Sequence, residues 1–342
     1  MRHILKAAVL GPAAIALLLA GAAAADVIVT FPDPNLEAAV RKYLSIPAPT
    51  PITQTDMLRV DSLLAYDANI SDLEGLQFAS NSEMLELMGN HIEDLAPLAG
   101  LNELCHLSLG WNRISDLQAL GGLTRLRLLH ICWNNVTSIE PLGGLAQLAW
   151  LNIDGNPVSD LGPLASSKLG VLMASGARID DISPLASLKG LHILSIEGNL
   201  VSDVSALAGL GVLRCVRANN NRIADIGALA AHAELETLDL AGNMLADISA
   251  IGTLDKLAWL DLKDNRIADI APLTSLTSLR EVDLRGNPLN EDAYLLYIPE
   301  ILANNPGVNL IYDPIPEPGS LLLLAAGLAG AMLRGWGRAK RT

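Results

Sequence analysis

An asparagine recurs every 22 residues through most of this 342-residue chain. Ala68 and Ala177 stand in register at two positions where the asparagine is missing, and the step shortens to 21 residues once, before Ala177. Counting both alanines, this marker position occurs eleven times. So strict a period predicts a stack of similar turns, not one irregular core. The marker asparagines are Asn90, Asn112, Asn134, Asn156, Asn199, Asn221, Asn243, Asn265 and Asn287.

Apolar residues keep register with the marker. Around Asn134, for example, Leu129 and Ile131 stand five and three residues before it, and Val136 stands two after it. Alternation with period two predicts a short strand whose leucines point inward. The marker side chain can both donate to and accept from backbone groups left unpaired where the chain turns. Because one turn cannot bury its own apolar face, the core must come from stacking.

The pattern L-x-x-L-x-L-x-x-N-x-I resembles the leucine-rich repeat. This resemblance implies an α/β solenoid: a right-handed horseshoe of about eleven 22-residue turns. Its parallel β-sheet would form the concave face, and short helical turns would form the convex face. The repeats are predicted to span residues 61–289.

Two caps are predicted to shield the ends of the stack, at residues 26–60 and 290–313. The run from Phe31 to Val40 resembles the helical start of internalin-type bacterial repeat proteins, whose usual role is protein binding on the concave face. We expect helices over 35–44, 55–60 and 290–303, and a last strand over 308–312.

An acidic column follows the marker by four residues, as at Asp94 and Asp116, with Ser138 in the same position. These carboxylates could form a calcium ladder, or they could accept the free N–H groups of the helical turn that follows. Ser138 caps well and binds calcium poorly, so the pattern favours capping. Prolines three residues further on, such as Pro97, favour short turns on the convex side.

Both ends of the chain are predicted to be targeting signals rather than parts of the folded domain. Residues 1–25 have the basic start, apolar stretch and A-x-A end of a secretory signal peptide. Residues 314–342 resemble the PEP-CTERM sorting signal: the motif Pro316, Glu317 and Pro318, an apolar run over 321–333 and a basic tail. The family's implied partner is the membrane protease exosortase. The resemblance implies export through the inner membrane, transient membrane association through a short transmembrane helix, and a surface or extracellular location. The alternative is a simple C-terminal membrane helix.

The formal net charge is −14, and the chain has three cysteines. Such an acidic protein should repel nucleic acid and anionic lipid, so neither is a predicted partner. An odd number of cysteines in an exported chain leaves at least one free thiol. No phosphate-binding loop or metal-ligand motif is present, and we predict no cofactor and no metal.

Residues between the inward leucines should line the concave face. Exposed aromatic residues on a rigid strand face are what binding hot spots use, although the tryptophans could simply cover the strand edge. The polar residues further along could set specificity or be plain solvated surface. A protein is the favoured partner, and a glycan or exopolysaccharide is the alternative. The candidate binding residues are His106, Trp111, His130, Trp133, Trp150, Asp154, Glu197, Arg217, Asp239, Trp259 and Asp261.

One group of residues could support catalysis or zinc binding instead. His130 and Cys132 share a strand face, Asp154 is expected beside Cys132, and His106 is diagonal to the three. A spacing of two residues, roughly 6.6 Å along a strand, predicts that His130 and Cys132 are too far apart for a hydrogen bond. The sequence therefore predicts a binding protein and not an enzyme.

Overall fold

The structure is a computed structural model that describes residues 26–314. It contains one parallel sheet of twelve short strands whose spatial order is the order of the chain. This confirms the predicted solenoid, a right-handed horseshoe with the sheet on its concave face. The strands are β1 (Ser62–Leu64), β2 (Met84–Glu86), β3 (His106–Ser108), β4 (Leu128–His130), β5 (Trp150–Asn152), β6 (Val171–Met173), β7 (Ile193–Ser195), β8 (Cys215–Arg217), β9 (Thr237–Asp239), β10 (Trp259–Asp261), β11 (Glu281–Asp283) and β12 (Asn309–Ile311).

The register of the sheet follows the sequence period. Leu129 pairs with Leu107 on one side and Leu151 on the other, so identical repeat positions lie side by side. All three leucines are fully buried. Stacking therefore joins the inward residues of every turn into one continuous core.

Short 3₁₀ turns form the convex side, as the prolines predicted. Asp94 accepts a hydrogen bond from the N–H of Ala96 at 2.8 Å, and Ser138 does the same for Glu140 at 3.3 Å. Capping thus explains the acidic column, and the part of the chain that the structure describes has no group of three or more His, Cys, Asp or Glu side chains placed to hold a metal. The 3₁₀ segments are Leu76–Phe78, Ala96–Leu98, Gln118–Leu120, Glu140–Gly144, Gly162–Ser166, Ser183–Ser187, Ser205–Gly209, Gly227–Leu229, Ser249–Thr253 and Ala271–Ser275.

The marker asparagines form a buried ladder. Asn134 Oδ1 accepts the N–H of Ile114 from the preceding turn at 2.9 Å. Its Nδ2 donates to the carbonyls of Leu109 and Ile131, each at 3.0 Å. Backbone groups buried between turns would otherwise lack hydrogen-bond partners. Each marker asparagine therefore bonds its own turn to the preceding one.

The ladder is interrupted where Ala177 replaces asparagine. In the preceding turn the N–H of Val158 would normally donate to the missing side chain. It donates instead to the carbonyl of Asn156 in its own turn, at 2.8 Å. The N–H of Val158 is therefore satisfied within its own turn. The asparagine bond between the two turns is lost, while backbone bonds such as that from the N–H of Arg178 to the carbonyl of Val158, at 2.9 Å, remain.

The N-terminal cap contains helix α1 (Pro34–Leu44) and the single-turn helix α2 (Gln54–Met57). Asp33 caps α1 by accepting the N–H groups of Asn35 and Leu36, and Pro34 fits the first helical position. The observed α2 corrects the predicted 55–60 helix. Thr53 forms a capping box with Asp56, which fixes the start of the helix at Gln54, and the helix ends after one turn at Met57.

The C-terminal cap also differs from the single helix predicted over 290–303. A π-helical turn, Ala293–Tyr297, comes first and leads into helix α3 (Ile298–Asn304). Pro299 lies in the first turn of α3 and has no N–H, so regular i to i−4 bonding cannot run through it. The buried Asn305 then accepts the N–H of Leu279 at 2.9 Å, as a marker asparagine would.

The predicted signal peptide and the Pro316–Glu317–Pro318 motif lie outside the described residues, as does the apolar run over 321–333. Over 26–314, no helix has the length and apolar character needed to cross a membrane.

Candidate binding face

Two regions of different chemistry share the concave face and its rim. The first, here the aromatic cluster, comprises His106, Trp111, His130, Trp133 and Trp150 on and beside β3–β5. The second, here the charged strip, comprises Glu197, Arg217, Asp239 and Asp261 on and beside β7–β10. Their rows follow the repeat, because residues six and four before each marker stand side by side on neighbouring strands.

Trp111 and Trp133 occupy a backbone position that disfavours large side chains. Their φ angles are 57° and 54°, in the left-handed region, one residue before the marker. Other turns place glycine, aspartate or asparagine at this position, as at Gly89 and Asn220. A bulky residue held in this conformation costs on the order of 1–3 kcal/mol. Two successive tryptophans here are therefore a departure from what folding alone favours.

The two tryptophans stack on each other. Their ring centroids are 5.1 Å apart with an interplanar angle of 26°, and the side chains remain 56% and 52% exposed. Gly155 in the next turn provides the space, because a Cβ there would lie 2.5 Å from the Trp133 ring. The pair therefore forms a rigid, solvent-facing aromatic surface at the rim of the sheet.

The two histidines, His106 and His130, lie at the centre of the aromatic cluster. His106 Nε2 lies 2.7 Å from Glu86 Oε1, and the His130 ring meets the Trp150 ring edge-on at 5.5 Å between centroids. Burial lowers the pKa of His130 from its ordinary value, so this ring is neutral near pH 7. Glu86 was not a predicted site residue, although its position four before a marker could have identified it.

The predicted separation of His130 and Cys132 is wrong. His130 Nε2 lies 2.9 Å from Cys132 Sγ, because both side chains stand on the same face and the imidazole leans along the strand. Burial, followed by the charge of Asp154, raises the pKa of the Cys132 thiol to about 11. A nucleophilic cysteine needs a lowered pKa, so this contact does not activate the thiol. All three cysteines are free.

Asp154 borders the aromatic cluster but is already engaged. Its Oδ1 accepts the N–H of Ser175 at 2.6 Å, and its own N–H donates to Asn152 Oδ1 at 2.8 Å. The carboxylate therefore has a fixed position with one oxygen still available.

Aspartates stand in one row of the charged strip, where Asp239 pairs with Asp261 and Asp261 with Asp283. Burial, with the charges of Asp261 and Glu197, raises the pKa of Asp239 to about 6. The pKa of Asp261 is also raised, mainly by burial. Burial of Asp283 opposes its ionisation, but bonding to Arg285 outweighs this and lowers its pKa.

Trp259 is not part of the aromatic cluster. It lies on β10, five strands from Trp150, and is 48% exposed. Trp150 is half-buried against His130, so neither ring is packed among the core leucines. Sequence reasoning also missed an apolar groove of about 690 Å³ between α1 and β1, lined by Tyr43, Leu64 and Tyr66 among others.

Two family models match parts of the chain. Leucine Rich repeats (2 copies) matches residues 255–295, and the PEP-CTERM protein-sorting motif matches residues 314–339. The second match covers the predicted Pro316, Glu317 and Pro318. No curated protein sequence matches the chain.

Solved structures resemble the described fold. An internalin (InlF) from Listeria monocytogenes is 28% identical, with a TM-score of 0.72 over 87% of this chain and 96% of that one. The functional domain of InlJ from the same species is 21% identical, with a TM-score of 0.71 over 83% of this chain and 60% of that one. The plant peptide hormone receptor RGFR1, in complex with RGF2, is 19% identical, with a TM-score of 0.57 over 70% of this chain and 45% of that one. The repeat, the caps and these matches show a leucine-rich-repeat fold similar to that of internalins, followed by a segment that matches the PEP-CTERM sorting motif.

Proposed function

We propose that this exported protein is a non-catalytic binding module that engages a protein partner through its aromatic cluster at the cell surface. The stacked Trp111 and Trp133 carry the proposal. They combine large exposed area, rigidity and a backbone conformation that costs folding free energy, and strain of this kind concentrates at functional sites. Aromatic anchors contribute binding area at a small cost in side-chain entropy.

The chemistry of the region fits a protein partner better than a catalytic role. The His130–Cys132 contact holds a thiol whose pKa is about 11, which keeps it protonated near neutral pH. Rings and imidazoles lie on three consecutive strands, so a partner would meet a continuous surface. The charged strip would add orientation and specificity at its edge.

A capture experiment with three proteins tests the location. The mature wild type, a Trp133→Asn/Trp150→Ala double variant and a Trp259→Ala control are each incubated with the cell's surface fraction. Asparagine is used at 133 because Asn220 already occupies the equivalent left-handed position. We expect the double variant to lose at least about 2 kcal/mol of binding free energy for a true hot spot, while the control keeps its binding.

Circular dichroism must first show that all three proteins are folded. Equal capture by the wild type and the double variant would contradict the proposed location. Loss in the Trp259→Ala protein alone would move the site to the charged strip.

Export is proposed from the two ends of the sequence. The sorting-motif match at residues 314–339 supports removal of the C-terminal segment, and the first 25 residues support removal of a signal peptide. Mass spectrometry of the native protein should find a chain that starts near Asp26 and ends near Pro316–Gly319. Extracellular protein that still carries its Arg334–Thr342 tail would rule out sorting by this route.

A further inference from the structure

A gap interrupts the row of side chains that follows the rim one residue before each marker. Along this row, the side chain of one turn leans over the next. A Cβ added to Gly155 would meet Trp133 at 2.5 Å, and one added to Gly242 would meet Asn220 at the same distance. At Gly176 and Gly198 an added Cβ would meet only backbone of the preceding glycine, at 3.8 Å or more.

The gap exists because Gly155, Gly176 and Gly198 follow one another in three consecutive turns. A glycine has no side chain to lay over the next turn, so two of these turns are left bare. Trp133 closes one end and Asn220 the other, about three strand spacings or roughly 14 Å from Gly155. The result is a trough of about 420 Å³ with a floor of exposed backbone.

Groups that both donate and accept hydrogen bonds line one side of the trough. Ser175 Oγ and Ser195 Oγ lie 2.9 Å apart, and Ser195 Oγ donates to Glu197 Oε1 at 3.2 Å. Asp154, Met173 and Arg217 also line the trough. Among the described residues, Arg217 makes no ion pair, so its guanidinium is available to a ligand.

The charges limit which ligand fits. Arg217 opposes a cation, while Asp154 and Glu197 oppose an anion. A neutral ligand with several hydroxyl groups can accept from the guanidinium and donate to both carboxylates. The bare floor admits a flat ring close to the backbone, and the Trp133 edge offers apolar contact for its C–H face.

We propose that this trough binds neutral hexose units of a polysaccharide. The site lies between the two regions assigned to a protein partner: it shares Trp133 with the aromatic cluster, and Glu197 and Arg217 with the charged strip. Its length suits two or three linked sugar rings. Trp133 borders both sites, so the test uses a residue that belongs to the trough alone.

The experiment follows backbone amide signals by NMR as a sugar is added. The probes are cellotriose, laminaritriose and maltotriose, each titrated to millimolar concentration into the ¹⁵N-labelled mature protein. We expect at least one trisaccharide to cause saturable shifts at Gly176, Gly198 and Asn220. Tri-lysine and tri-galacturonate serve as cationic and anionic comparisons and should shift these signals less.

A matched pair of variants tests the site itself. Gly176→Asn should lay a side chain over Gly198, as Asn220 does over Gly242, and weaken trisaccharide binding by roughly tenfold or more. Gly307→Asn makes the same change at another glycine of positive φ, 90°, where an added Cβ also meets nothing closer than 3.8 Å and which is not among the trough residues, and it should bind within about twofold of the wild type. Thermal melting shows whether the two variants are equally folded.

Three outcomes would overturn the proposal. The first is no saturable shift with any trisaccharide, and the second is a stronger response to tri-lysine or tri-galacturonate. The third is equal trisaccharide binding by Gly176→Asn and the wild type. Partner capture by the aromatic cluster is measured separately, so each proposal can fail without the other.

Discussion

Residues 133 and 134 are neighbours in the chain and opposites in role. Asn134 is buried, accepts and donates three well-formed hydrogen bonds, and repeats in turn after turn. Trp133 is half exposed, sits in a left-handed conformation, and matches only Trp111 among its equivalents. The repeated column lowers the free energy of the fold. The irregular column raises it, which indicates that its side chains serve another purpose.

The largest change in stability is expected from a substitution in the asparagine ladder. Asn134→Ala leaves the N–H of Ile114 without its partner, while the carbonyl of Leu109 loses one of its two bonds and keeps the one from Asn112 Nδ2. We expect the free energy of unfolding to fall by about 1–3 kcal/mol, measured by urea denaturation. Asn135→Ala deletes the same group from the adjacent exposed residue and should change stability by less than about 0.5 kcal/mol. Equal effects of the two substitutions would refute the buried ladder.

The second largest change in stability is expected in the charged strip, where a substitution should stabilise the protein instead of destabilising it. The pKa of Asp239 is raised from 3.8 to about 6, so its contribution to stability is present below pH 3.8 and lost as the pH rises through 6. Asp239→Asn should therefore stabilise the protein at pH 7, by on the order of 1 kcal/mol because the carboxyl is partly exposed and screened. The gain should shrink as the pH falls towards 4.

Denaturation of wild type and variant at several pH values between 4 and 7 measures this difference. Asp180→Asn at an exposed site is the control and should show no such trend. A stability gain at pH 4 as large as that at pH 7 would show that the charge of Asp239 is not its cause.

The smallest expected effect is at the tryptophan pair. Trp111→Gly removes a stacking contact of about 0.5–1.5 kcal/mol. It also removes a left-handed bulky residue whose cost is on the order of 1–3 kcal/mol. We expect stability to change by less than about 1 kcal/mol, in either direction, by urea denaturation. A loss above about 2 kcal/mol would make Trp111 part of the structural core instead.

The sequence predicted the repeated part of the fold well. Periodic leucines and marker asparagines such as Asn134 determine which residues face inward, and the same pattern fixes the register again in every turn. The predicted bounds of the helices were wrong in the two caps, where the repeat ends. Pro299 redirects the last helix through a π turn, and Thr53 starts α2 earlier than its apolar pattern indicated.

Side-chain geometry on the concave face was harder to predict. Strand spacing alone placed His130 and Cys132 too far apart, because it ignores how far an imidazole leans along the strand. The stacking of Trp111 on Trp133 depends on their positive φ angles and on Gly155, and a residue pattern does not report φ. The run Gly155, Gly176 and Gly198 was visible in the sequence, but the trough appears only when neighbouring side chains are placed.

One measurement tests most directly whether the aromatic cluster is the partner-binding surface. Hydroxyl-radical footprinting oxidises exposed indoles, and it can be applied both to the purified protein and to the protein on the native cell surface. Trp111, Trp133 and Trp259 are all about half exposed, so each should label readily in the purified protein. We predict that Trp111 and Trp133 become protected on the cell while Trp259 does not. Unchanged labelling of Trp111 and Trp133, or protection of Trp259 alone, would contradict the assignment.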